Sequence, residues 1–103
     1  MYCEFKDLEM EIVRWAEARQ IVKHSTPMAQ AIKTLEEVQE LLSAINRNDE
    51  EAIDDSYGDI LVTLIIGCAV GDRSLVKALG KAWLQIKDRT GHLSADGTFI
   101  KDA

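Results

Sequence analysis

Apolar positions recur along the chain at three- and four-residue intervals, interrupted by short polar stretches, which is the pattern of amphipathic helices joined by turns. Phe5, Leu8, Ile12, Trp15 and Val22 mark the first stripe, with Arg19 on the same face, and predict a helix over about Phe5 to Val22. Lys23 to Thr26 is a connection, and Thr26 before Pro27 supplies an N-cap and a first-turn proline for a second helix. Met28, Ala31, Ile32, Leu35, Val38, Leu41, Leu42 and Ile45 give that helix one wide apolar face, enough to anchor it in a core. Asn46 to Asp49 breaks the pattern, and Asn48 or Asp49 caps a third helix whose first turn holds Glu50 and Glu51. From Ile60 to Val70 the third helix is apolar nearly all round, so it has to be covered on every side. In so short a chain a partner subunit is the obvious cover. Gly71 ends it, and Asp72 or Ser74 caps a fourth helix with a buried stripe of Leu75, Val76, Leu79, Ala82, Trp83 and Ile86. Gly91 stops the fourth helix after Lys87 and Arg89, and an Asp96-Gly97 turn predicts a short tail, either a hairpin or a segment lying over a neighbouring subunit.

Carboxylates sit beside the apolar stripes of the second and third helices. Lys33, Glu37 and Glu40 stand at i, i+4 and i+7, on one side of the second helix, and Asp55 and Asp59 stand at i and i+4 on the third. A short connection returns the third helix antiparallel to the second, so the two acidic faces can meet. Four convergent carboxylates repel one another unless a cation sits among them, and oxygen-only ligands favour Mg²⁺, with Mn²⁺ as the alternative. The bland reading of Glu37 is an exposed i, i+4 pair with Lys33. Gly58 inside the third helix suggests close approach by another backbone or a ligand.

The run E-E-x-x-E at Glu36, Glu37 and Glu40, followed one helical hairpin later by G-D-I-L at Gly58 to Leu61, resembles the MazG-like all-α nucleoside triphosphate pyrophosphohydrolases. The D-S-x-G-D form at Asp55 to Asp59 is similar to a phage-type branch of that family, with Ser56 where the usual motif has its third glutamate. The resemblance implies a four-helix bundle completed by oligomerisation, as a homodimer or dimer-based tetramer. It implies hydrolysis of a nucleoside triphosphate between the α and β phosphates, to the monophosphate and pyrophosphate, as nucleotide-pool house-cleaning. Glu37, Glu40, Asp55 and Asp59 would then hold metal, with Asp55 replacing the missing glutamate. Glu36 would support a ligand or act as base for the water, and Lys33 would steady Glu37 or touch a phosphate. Trp15 and Arg19, in the first helix, are candidates for the base, and Lys87 and Arg89 for the triphosphate, although capping of the fourth helix by those two cations is an equal reading. Trp15 read without the resemblance is a core aromatic. Two other functions stay open: a related pyrophosphohydrolase for dUTP, dCTP or phosphoribosyl-ATP, and a non-catalytic helical interaction module, which Ser56 favours.

Length and composition add limits. With 103 residues the chain is read as a single domain over 1–103. Eighteen acidic against 12 basic residues give a net charge of −6, which argues against a general nucleic-acid binder. Cys3 and Cys68 make no disulfide framework and read as buried free thiols, suiting a reducing cytoplasm. The acidic N-terminal stretch has no signal-peptide core, and the apolar run to Val70 is too short to span a bilayer, so a soluble cytoplasmic protein without membrane contact is expected.

Overall fold

The third predicted helix becomes the centre of the molecule, with the other helices arranged around it. In the computed structural model, which describes residues 4–103, five helices and a two-stranded hairpin follow in the order α1 (Phe5–Ala18), α2 (Ile21–His24), α3 (Pro27–Asn46), α4 (Glu50–Val70), α5 (Leu75–Ile86), β1 (Gly91–Leu93) and β2 (Phe99–Lys101). Helix α4 packs along α3 on one side and against α1 and α2 on the other, while among the described residues α1 and α3 do not approach each other. No helix among the described residues is long and apolar enough to cross a membrane.

The caps expected for α3 and α4 form as the sequence pattern implies. The Thr26 hydroxyl accepts from the Ala29 amide at 3.0 Å, and Asp49 accepts from the Ala52 amide at 3.1 Å. For α5 the cap is Ser74, not Asp72. The first predicted helix, however, is not continuous to Val22. It ends at Ala18, Gln20 takes a left-handed conformation at φ 68°, and a single further turn makes α2. No glycine or proline announces that break. The redirected turn carries Ile21 and Val22, both half-buried, against α4, so tertiary packing overrides the local helical preference. The helix count is therefore five where the periodicity implied four.

The tail takes the hairpin form. Strands β1 and β2 pair antiparallel with His92 opposite Ile100, and Gly97 turns the chain at φ 87°. Gly91 is required by space, because a Cβ there would lie 2.2 Å from the Ile100 carbonyl oxygen. Gly58, by contrast, has open space on its Cβ side, so among the described residues no other element approaches it there.

Burial departs furthest from expectation. The buried apolar residues are Ala16, Ala44, Ile65 and Ile66, and the face of α3 read as a core anchor lies outward. Met28, Ile32, Leu35, Leu42 and Ile45 are 69, 53, 59, 63 and 47% exposed. What α3 turns toward α4 is a stripe rotated from it, Gln30, Thr34, Glu37, Val38, Leu41 and Ala44, all half-buried or buried, which shares only Val38 and Leu41 with the predicted face. The stripe assigned to the fourth helix is also uncovered: Leu75 and Val76 are half-buried, and every residue from Lys77 to the end of α5 is exposed. The accessible surface is 8152 Å², against roughly 5,800 Å² for a compact monomer of 11.5 kDa. The radius of gyration, 16.0 Å, exceeds the roughly 13 Å typical of this length. A single chain thus makes an open layer of helices centred on α4, not a closed bundle. Cys68 is free and half-buried, and Cys3 lies outside the described residues.

Candidate active site

The α3–α4 hairpin sets the heights of the acidic residues. Its three-residue connection, 47–49, turns through Asn48 at φ 55°. Farther along, Thr34 meets Thr63 at 2.8 Å, and a Cβ on Gly67 would stand 3.2 Å from the Cβ of Gln30. These two pairs step by four residues on each helix in opposite directions. The same register carried toward the connection puts Val38 level with Asp59 and Leu42 level with Asp55. Glu37 then lies about 1.5 Å from the level of Asp59 along the helix axes, and Glu40 falls between the two aspartates.

The immediate surroundings of these carboxylates differ. Glu37 is the most enclosed, with a side chain 16% exposed, and its Oε1 lies 3.5 Å from Lys33 Nζ. Lys33 also reaches Glu36 Oε2 at 3.4 Å. The hydrogen bond and charge of Glu36, joined by the charge of Glu37, hold the Lys33 ammonium above its usual pKa, so it stays protonated. Glu36, Glu40, Asp55 and Asp59 are exposed. Ser56, between the two aspartates in sequence, is 6% exposed. One position of helical rotation therefore separates a buried hydroxyl from an exposed carboxylate. Among the described residues no three acidic, histidine or cysteine side chains gather around a common point. In donor chemistry the set suits a hard divalent cation, since it offers carboxylate oxygens on two facing helices at matching heights.

Trp15 is not the core residue that periodicity suggests. It is 47% exposed, and Arg19 stacks over it with the guanidinium carbon 4.3 Å from the ring centroid. Arg19 also donates to the Trp15 carbonyl oxygen at 3.1 Å. Trp15, Ile12, Glu11, Arg14 and Val62 line a groove of about 680 Å³, the size range of small-ligand pockets. Val62 is three residues beyond Asp59, so the groove begins one helical turn from the acids. Lys87 and Arg89 stand apart. They lie past the end of α5, exposed, and α5 makes no close approach to α3 among the described residues.

Residues 25–92 match the MazG nucleotide pyrophosphohydrolase domain. The chain belongs to the MazG family. The match runs from the residue before the Thr26 cap to the first strand of the hairpin, so it takes in the whole α3–α4 acidic hairpin and α5. An uncharacterized 18.2 kDa protein in the rep-hol intergenic region of Haemophilus phage HP1 (strain HP1c1) is 41% identical over 63 residues, in agreement with a phage-type MazG sequence. That similarity covers 61% of this chain but 39% of the phage protein, so the chain spans about two-fifths of its relative's length. No solved structure matches the chain.

Two polar features of this MazG chain were missed in the sequence. Glu9, which lies beside Leu8 of the α1 stripe, is 9% exposed and accepts from the Val76 amide at 3.0 Å and from the Ser74 hydroxyl at 3.1 Å. It ties α1 to the start of α5 across 65 residues or more of chain. Thr34 and Thr63 form the only side-chain hydrogen bond joining α3 to α4 among the described residues. A lone threonine inside the apolar run of α4 was the available signal for the second.

Proposed function

We propose that this MazG protein is a Mg²⁺-dependent nucleoside triphosphate pyrophosphohydrolase that cleaves between the α and β phosphates, with nucleotide-pool house-cleaning as its role. The observation that carries the reading is the register of α3 against α4, which levels the E-E-x-x-E acids with Asp55 and Asp59. Glu37, Glu40 and Asp59 would hold the cation, with Asp55 as the fourth carboxylate, displaced by one residue from the family position that Ser56 fills. A divalent cation held there neutralises phosphate charge and supplies an activated water. Glu36 acts as base for that water or supports a ligand from behind. Lys33, kept charged by Glu36 and Glu37, steadies those acids and offers a cation to a phosphate oxygen. Trp15 offers a ring face to the base, with Arg19 braced against it and the Ile12–Val62 groove alongside.

A homodimer or dimer-based tetramer belongs to the same reading. The uncovered stripes of α3 and α5, with Leu61 and Leu64 of α4, are the surfaces a second copy would cover. The excess of roughly 2,300 Å² over a compact monomer is in the range that an obligate interface removes from each partner.

Pyrophosphate release from a panel of dNTPs and NTPs, with and without Mg²⁺, tests the proposal. Turnover of a deoxynucleotide that stops when EDTA is added supports it. Preference for dUTP, dCTP or phosphoribosyl-ATP would move the substrate while keeping the site. No turnover of any substrate would favour a non-catalytic helical module, the reading that buried Ser56 supports.

A further inference from the structure

Hydrophobic burial does not by itself fix how α4 faces α3. Beyond Asp59, α4 is apolar nearly all round, so several rotations about its axis would bury similar area. The short connection limits sliding but leaves α4 free to roll. The seam of α3 is only half apolar, with Gln30, Thr34 and Glu37 in three of its six places beside Val38, Leu41 and Ala44. Against that background one directional contact stands out. Thr63 is 7% exposed, and its hydroxyl meets that of Thr34 at 2.8 Å. Thr63 Oγ1 also reaches the Ile60 carbonyl at 2.7 Å and Thr34 Oγ1 the Gln30 carbonyl at 3.0 Å. Two hydroxyl protons serve three short contacts, so one bridges the two oxygens while the other goes to a backbone carbonyl. Rolling α4 by one residue position would separate the two hydroxyls and leave each with only the carbonyl of its own helix.

We propose that the Thr34–Thr63 pair is a positioning element that fixes the roll of α4 on α3 and thereby aligns Asp59 with Glu37 and Glu40. Thr34 is three residues before Glu37 and Thr63 four after Asp59, so the pair sits one helical turn from the carboxylates on both helices. Buried polar contacts set register in this way elsewhere, where apolar packing leaves alternatives open. Gly67 supports the same alignment, because its missing side chain lets the helices close where Gln30 crosses. The inference rests on the reading of Glu37, Glu40 and Asp59 as cation ligands.

The test is Mn²⁺ binding by titration calorimetry on the full chain without nucleotide, with the thermal midpoint measured alongside. Thr63→Val and Thr34→Val keep shape and remove the hydroxyl, and each is expected to weaken Mn²⁺ binding roughly tenfold, as loss of a group that orients a ligand does. The double variant should bind no worse than either single one, because the pair acts as a unit, and Thr63→Ser should restore wild-type binding. Val variants that bind Mn²⁺ like the wild type, whatever their thermal midpoint, overturn the proposal and leave the ligand reading intact. A wild-type chain that takes up no Mn²⁺, tested beside Glu40→Gln, removes the ligand reading and the proposal with it. Should Thr63→Val fail to fold, Thr34→Val gives the same comparison, and failure of both to fold makes the pair a stability element and overturns the positioning role.

Discussion

Asp55 and Ser56 are neighbours in sequence, yet α4 gives them opposite surroundings, one exposed and the other buried. With Asp55 as fourth ligand, Asp55→Asn lowers Mg²⁺-dependent turnover at least tenfold while Ser56→Ala changes it little; the reverse order, read from kcat/KM, removes the displaced acid. Glu40→Gln should abolish turnover and leave the helical circular dichroism unchanged, and full activity would take Glu40 out of the site. The spacing that puts Glu37 near Glu40 on α3 and Asp55 near Asp59 on α4 was legible in the sequence, because helical periodicity decides which residues share a face. The exposure of Trp15 was not legible, since periodicity names a face but not what covers it. As a half-exposed residue it gives a different expectation from a core aromatic. Trp15→Ala should cost below about 2 kcal/mol, against about 3–5 for a buried tryptophan, and should raise KM with little change in kcat. At the other end of the chain, hydrogen bonds from Ser94 and Thr98 hold the Asp96 carboxyl below its ordinary 3.8. The folded value is depressed, so the hairpin gains stability above the ordinary value and loses it as pH falls through the folded one. NMR titration of the Gly97 and Thr98 amides should show that transition, and Asp96→Asn should abolish it.

Helix α3 shows how an element can be legible in extent and misread in orientation. Its start at Pro27 and its end near Ile45 follow from the Thr26 cap, the proline and the polar break. Its broad apolar stripe suggested a core face, but most of that face looks outward; only Val38 and Leu41 of it join Thr34 and Glu37 in the half-buried stripe along α4. Pattern strength measures how much apolar surface must be covered, not which element covers it. The break at Gln20 was hidden for a related reason: nothing local demands it, and the gain comes from Ile21 and Val22 reaching α4. The close seam gives a prediction of its own. Gly67→Leu would drive a side chain into Gln30, whose Cβ already stands 3.2 Å from where a Cβ would be, and overpacking should cost about 1–3 kcal/mol in urea unfolding. An unchanged midpoint would mean that the helices part there without cost.

At the scale of the whole molecule, the open layer of helices leaves more surface in water than a chain of this length sustains alone. Sequence periodicity pointed to a partner through the apolar run of α4, but the most buried part of that run, Ile65 and Ile66, is covered within the chain. The uncovered surface is instead spread over α3 and α5. Leu35→Lys with Leu42→Lys therefore tests assembly without touching the buried residues: the wild type should sediment as a dimer or larger at micromolar concentration, and the double variant should shift to smaller species. A compact monomer in the wild type would contradict the assembly. The proposed function rests on one chemical claim, attack of water at the α phosphorus of a nucleoside triphosphate. Hydrolysis in ¹⁸O-labelled water, with both products analysed by mass spectrometry, tests it most directly. Label in the nucleoside monophosphate and none in the pyrophosphate is the predicted result; single phosphates carrying the label, released from the γ end, would contradict it.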